Sequence, residues 1–362
     1  MNIKNSLWML GLAAAAMTSC TQSEVLEVAE NRAIGFEDVF VGKATRAADP
    51  TENSLGVLQQ SGNGFYVYGG YEGVKDVFAN THVTYNEDNT PQWGYSPIRY
   101  WVATQKYKFV AYAPDMDVTP TFAYGTTGSP ATNDATLTFT DVVIDGTADN
   151  QKDFIVAKSG VITPTGSNYT DKVQFNFFHA LSMIKVTLRN GFADGVKVAI
   201  SNFQIEGIKT QGNFITKSDA AFSAGSCGTW SDQTSAETGT FTFTDAGTGE
   251  TPLSLRWTSN IDDTNTLKAY SNEFIVIPQM VDESSISVKF NVTVKDETGN
   301  TTIVNSKELS LYIPTVSWDI NNRYHYTFTI DGKSVGLTPI EFDEPSVDSW
   351  GDYGSDITLP IN

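Results

Sequence analysis

Cysteine and histidine are scarce in this chain of 362 residues: two cysteines and three histidines. A cysteine-type zinc site is excluded by that count. If Cys20 is chemically used, Cys227 stands alone and no intramolecular disulfide is available. Positive charge is also thin, with 23 Lys and Arg against 42 Asp and Glu and a net charge of −19. Phosphate binding needs clustered Lys and Arg, so a nucleic-acid partner is not expected. After Met17 no apolar run is long enough to span a bilayer. Ala/Leu/Glu/Lys-rich windows are missing there too, so helix is not favoured. Catalytic signatures are equally sparse. No Gly-x-Ser-x-Gly, His-Glu-x-x-His or phosphate loop occurs. His179 sits in Phe177-Phe178-His179-Ala180-Leu181, an apolar setting that suits a packed, hydrogen-bonded core histidine. Cys227 lies in a small-residue loop with no basic partner nearby in sequence. The carboxylates from Glu341 to Asp356, and Asp262-Asp263, lack calcium-loop spacing and read as solvated loops. The expectation is no enzyme, no metal and no cofactor.

What is present starts at the amino terminus. Lys4 precedes an uncharged run from Leu7 to Ala16, which leads into Met17-Thr18-Ser19-Cys20. The run is too short for a mature membrane helix and reads as an export signal, residues 1–19. Small residues before a cysteine suit a lipoprotein signal peptidase, which leaves Cys20 as the lipidated amino terminus. A plain secretory signal with an incidental cysteine is the alternative. Residues 20–32 are polar and acidic, a tether. Ala33–Val41 then reads as a strand with Ile34 and Phe36 on one buried face. Lys43-Ala44-Thr45-Arg46-Ala47 is a basic stretch where an arginine-specific protease can cut between Arg46 and Ala47.

From Gly64 onward short apolar and aromatic strands recur, many separated by turn clusters at intervals of about ten residues, as sandwiches require. Tyr107–Tyr112 is a strong strand ended by Pro114-Asp115. Ser159–Lys172 is polar, with Pro164, Gly166 and Ser167, and serves as a domain boundary. A second series opens at Val173–Phe177 and runs to Tyr324–Ile330. The expected layout is all-β: two tandem antiparallel β-sandwich domains at 47–165 and 166–330. Trp93, Tyr95, Tyr100 and Trp101 read either as core or as a sugar-stacking platform. The tail, 331–362, keeps Val335, Leu337, Ile340 and Phe342, and then alternates Ile357, Leu359 and Ile361, with Pro360 where an edge strand tolerates it. It reads as a last strand of the second sandwich or as a strand that pairs with another copy.

Four segments together resemble the fimbrillins, the type V pilins of Bacteroidetes-type bacteria. They are Met17-Thr18-Ser19-Cys20; Ile34-Gly35-Phe36 leading to Ala44-Thr45-Arg46-Ala47; Trp93 through Tyr112; and Phe175 through Ser182. The resemblance implies two transthyretin-like sandwiches and a route of assembly. The subunit is exported as a lipoprotein to the outer membrane and then cut at the position matching Arg46–Ala47. The propeptide, 20–46, leaves with Ile34 and Phe36 as the plugs of a groove, and a strand from another subunit fills it. Ile357, Leu359 and Ile361 are the candidate donors. Implied partners are further copies, other pilin subunits, an arginine-specific protease and a host or bacterial surface receptor. The Arg46 site argues against an anchor and the apolar tail argues for a strand donor, so a stalk role comes before a tip role. A surface glycan-binding lipoprotein is the rival from another class.

Overall fold

The computed structural model describes residues 32–41, 58–60, 62–126, 132–147, 150–165, 169–192, 196–218, 221–234, 241–242, 253–255, 273–296, 298–336 and 346–349. The first half carries β1 (Phe36–Val41), β2 (Gly64–Tyr71), β3 (Val74–Tyr85), β4 (Trp93–Gly94), β5 (Tyr107–Ala113), β6 (Thr121–Ala123), β7 (Thr136–Val143) and β8 (Ile155–Lys158). Next come β9 (Val173–His179), β10 (Ser182–Asn190), β11 (Lys197–Glu206), β12 (Gln211–Thr216), β13 (Gly228–Thr234), β14 (Phe241–Thr242) and β15 (Leu253–Leu255). The last group is β16 (Glu273–Val276), β17 (Gln279–Val281), β18 (Ser287–Lys295), β19 (Thr302–Tyr312), β20 (Val316–Trp318), β21 (Asn322–Ile330) and β22 (Ser346–Ser349), with a short helix α1 (Gly332–Gly336) after β21.

The architecture is all-β. A seven-stranded sheet runs β1-β9-β8-β5-β2-β3-β4, and a four-stranded sheet runs β13-β12-β7-β6. Two further sheets run β16-β10-β21-β22 and β14-β11-β18-β19, the latter with β15 also on β11, and β17 pairs with β20. Alternation explains the faces. In β9, Val173, Phe175, Phe177 and His179 are buried while Gln174 and Asn176 are exposed, the period-two pattern of a strand with one apolar face. β5 differs, with all seven residues buried, because it is central and covered on both sides. Tyr107, Phe109, Ala111 and Ala113 point into one core. Val110 and Tyr112 point into the other.

That split gives two cores. The first core holds Phe65, Phe78, Trp93, Trp101, Phe175 and Phe177, together with Ile34, Phe36, Val39 and Val41 of the leading segment. The second is continuous from Leu137 and Phe139 through Ile200 and Val288 to Tyr326 and Phe328. Lys108 is buried in β5, and its ammonium meets the Asp134 carboxylate and the carbonyl of Thr126.

Two features of the pairing lie beyond what alternation carries. Among the described residues pairing is antiparallel except at β1 with β9 and at β10 with β21, which run parallel. The division expected at residues 165 and 166 is crossed by hydrogen-bonded pairs. β9 joins β8 and β1, and β12 with β13 extends β7. The physical reason is common to both: alternation tells which face of a strand is buried and is silent about its neighbour and its direction.

Candidate strand-binding groove

Residues 32–41 lie in a slot with two walls. The first wall is antiparallel. Ala33 bridges Tyr100, the Ile34 amide donates to the Arg99 carbonyl at 2.8 Å, and the Trp101 amide donates to the Arg32 carbonyl at 2.8 Å. The Arg32 guanidinium adds a bond from Nη2 to the Trp101 carbonyl at 2.9 Å. The second wall is β9, where the Val173 amide donates to the Gly35 carbonyl at 2.8 Å. From there β1 runs parallel to β9, with Phe36 opposite Val173, Glu37 opposite Gln174, Phe40 opposite Asn176 and Val41 opposite Phe177. The register shifts between Glu37 and Phe40, so one strand carries an extra residue there, as in a β-bulge.

The side chains go inward. Ile34 and Phe36 are each 1% exposed, and Val39 and Val41 are buried as well. Phe36 sits in a box of four rings. It stacks on Phe175 at 5.9 Å and meets Phe65, Phe78 and Tyr95 edge to face at 5.6–5.7 Å. Such pairs add about 0.5–1.5 kcal/mol each beyond the area they bury. The Tyr95 phenol donates to the Ile34 carbonyl at 2.6 Å and accepts from the Arg99 amide at 3.2 Å. Burial pushes that phenol up to about 12, against the bond from Arg99, so it is a donor throughout the physiological range.

Ile34 and Phe36, the expected plugs, are thus brought together in one core. Val39 and Val41 belong with them. The bulge interrupts the period of two after Phe36, and the available signal was their own alternation, two residues apart. Of the four aromatics weighed as a sugar platform, Trp93 and Trp101 are buried and Tyr95 is half-buried against the first core, while Tyr100 is 47% exposed. The platform is core at three of its four members.

Cys20, Arg46, Ala47, Ile357, Leu359 and Ile361 lie outside the described residues. In the tail, β22 pairs antiparallel with β21, Val347 opposite Tyr324, and Val347 is half exposed. His179 is buried with Nδ1 2.9 Å from Asp153. The Cys227 thiol is buried and points at the His179 carbonyl at 3.5 Å. Burial raises it to about 12, far from the range of a thiolate nucleophile. Among the described residues no His, Cys, Asp and Glu cluster has the makings of a metal site, and no helix is long and apolar enough to cross a membrane.

Sequence comparison finds no match among curated proteins. Among solved structures, a fimbrial protein from Bacteroides vulgatus is similar at 20% identity and a TM-score of 0.55, covering 88% of this chain and 99% of that one. A protein described as a candidate for cell adhesion from Bacteroides uniformis is similar at 16% identity and a TM-score of 0.47, covering 88% and 97%. The first of these shows a shared fold. The fimbrillin-like family model matches residues 45–350, most of the chain, and the chain therefore belongs to the fimbrillin-like family.

Proposed function

We propose that the chain is the precursor of a fimbrial subunit, a structural protein rather than an enzyme, that serves adhesion at the cell surface. It is exported as a lipoprotein, lipidated at Cys20 and held at the outer membrane. An arginine-specific protease cuts between Arg46 and Ala47. The leading strand then leaves, and the tail of another copy, through Ile357, Leu359 and Ile361, takes its place. The family supports the fimbrial role. The observation that carries the route is the seating of residues 32–41, upstream of Arg46, as the last strand of a sheet with four apolar side chains in the core. The family match starts at residue 45 and ends at residue 350, so the leading strand and the alternating tail both fall outside it.

The energetics favour replacement over vacancy. Burying four such side chains contributes on the order of 10 kcal/mol. An empty slot also leaves the amides of Trp101 and Val173 without the carbonyls they meet here, and an open edge seeks a strand. While the chain is whole, the plug is intramolecular and cannot be lost. Cutting after Arg46 leaves it held by contacts alone. A stalk role follows from a subunit that both offers a slot and carries a tail, and other pilins and a surface receptor complete the assembly.

Treating purified precursor with an arginine-specific protease and running the product unboiled on a denaturing gel tests this reading. The expected result is a ladder of multimers, absent from Arg46→Ala protein. A ladder from the uncut variant, or cleaved protein that remains monomeric at high concentration, contradicts it.

A further inference from the structure

We infer that the Arg32–Ala33 peptide bond is a second processing site, closed while the leading segment is seated and opened by its release, so that its cleavage makes strand exchange one-way. The inference rests on the reading of Arg46–Ala47 as the first cut. The sequence contains six arginines, and only Arg32 and Arg46 are followed by alanine. An enzyme that accepts Arg46–Ala47 meets the same dipeptide fourteen residues upstream.

The seated geometry blocks that bond twice. A protease takes its substrate as an extended strand, pairs with its backbone and draws the arginine side chain into a pocket. Here the Arg32 carbonyl, the one to be attacked, already accepts from the Trp101 amide, and the neighbouring Ile34 amide is spent on the Arg99 carbonyl. The guanidinium is spent on the Trp101 carbonyl. Tyr95 and Val173 fix the carbonyls of Ile34 and Gly35. Hydrolysis at this bond must wait for local opening.

Release removes every one of these partners. Water then adds across the bond, giving a carboxylate on Arg32 and an amine on Ala33. The break parts residues 20–32, which carry the lipidated Cys20, from residues 33–46, which carry Ile34, Phe36, Val39 and Val41. Before that cut the released plug is still anchored to the membrane, is concentrated at the surface where subunits assemble, and competes with the incoming strand. After it, the plug diffuses away. Exchanging one strand for another of similar burial is close to balanced, and destroying the loser gives the reaction its direction.

The experiment follows both bonds by mass spectrometry while the full precursor, in detergent, is digested with an arginine-specific protease. A synthetic peptide of residues 20–46 is digested alongside. The expected result is prompt cutting at Arg46–Ala47 with the 20–46 segment whole and co-eluting with the subunit. Cutting at Arg32–Ala33 should be slower than in the free peptide by roughly 100-fold or more, since only the open state is cut. Denaturant or multimer formation should abolish the lag. Equal rates at Arg32–Ala33 in precursor and peptide overturn the inference and leave the first cut standing. No cutting at Arg46–Ala47 overturns the processing reading itself. Arg32→Lys supplies a second readout: it keeps a cation at this position but resists the protease. Multimer yield should fall, and fall further when intact released segment is added. An unchanged yield overturns the proposed role in direction.

Discussion

The phenol of Tyr95 donates a 2.6 Å hydrogen bond to the carbonyl of Ile34, and its ring lies edge-on to Phe36 at 5.7 Å. One side chain therefore holds both the backbone and the plug of the leading segment. A hydroxyl bonded to a carbonyl does not read the side chain above it. Tyr95 can serve any strand that lies in this slot, the leading one or an incoming one.

Phe36→Ala should destabilise the uncut precursor by about 3–5 kcal/mol, the usual cost of emptying a buried phenyl site. Denaturant titration of precursor and of cleaved, plug-free subunit checks it. The two cleaved products have the same sequence, so their midpoints should coincide. An unshifted precursor midpoint contradicts the burial of Phe36.

Tyr95→Phe keeps the ring and deletes the hydroxyl. The Ile34 carbonyl loses one donor, for a cost of about 0.5–1.5 kcal/mol in the precursor. After the Arg46–Ala47 cut the segment should leave faster, measured as the rate at which the 20–46 fragment separates from the subunit on a size column. An unchanged release rate would show that the hydroxyl does not hold the strand.

Lys108 and Asp134 give a pH dependence. Burial raises the Asp134 carboxyl, but hydrogen bonds from Lys108 and Thr126 outweigh it and hold the group at about 2, below its ordinary 3.8. A carboxyl depressed in the folded state binds protons more readily when unfolded. Its stabilisation is complete above about pH 4 and is lost as pH falls toward 2. Lys108→Met should flatten that part of a thermal-midpoint curve and cost about 1–3 kcal/mol at neutral pH, since the carboxylate loses the lysine and keeps the Thr126 amide. A curve that keeps the wild-type slope between pH 4 and pH 2 refutes the pairing.

Cys227 should resist alkylation in the folded protein at pH 8 and react within minutes in denaturant. Its thiol is buried and raised to about 12. Labelling followed by intact-mass analysis decides the matter, and rapid native labelling would place the residue elsewhere.

How far the sequence could be read depends on what alternation encodes. The inward face of β9, Val173-Phe175-Phe177, is plain in the residues, and so is the all-β class. Ile34 and Phe36 were legible for the same reason. Val39 and Val41 were not, because the shift between Glu37 and Phe40 breaks the period. The parallel course of β1 along β9, and the joining of β12 to β7, depend on long-range pairing that no local pattern carries. Trp93 and Trp101 suit core or platform by residue type, and core is the commoner place for aromatics at sheet positions. Trp93 is covered by Phe65 and Tyr85, and Trp101 by Tyr107, Phe109 and Tyr169 with its amide bonded to Arg32, a set of neighbours that no local pattern carries.

The most direct measurement is amide hydrogen exchange at Trp101 and Val173, whose N–H groups bond the carbonyls of Arg32 and Gly35. It compares precursor, cleaved subunit freed of the 20–46 segment, and multimer. Both amides should be slow in the precursor, fast in the freed subunit and slow again in the multimer, as one strand is replaced by another. Amides that stay slow in the freed subunit, or that remain fast in the multimer, would contradict exchange of a strand in this slot.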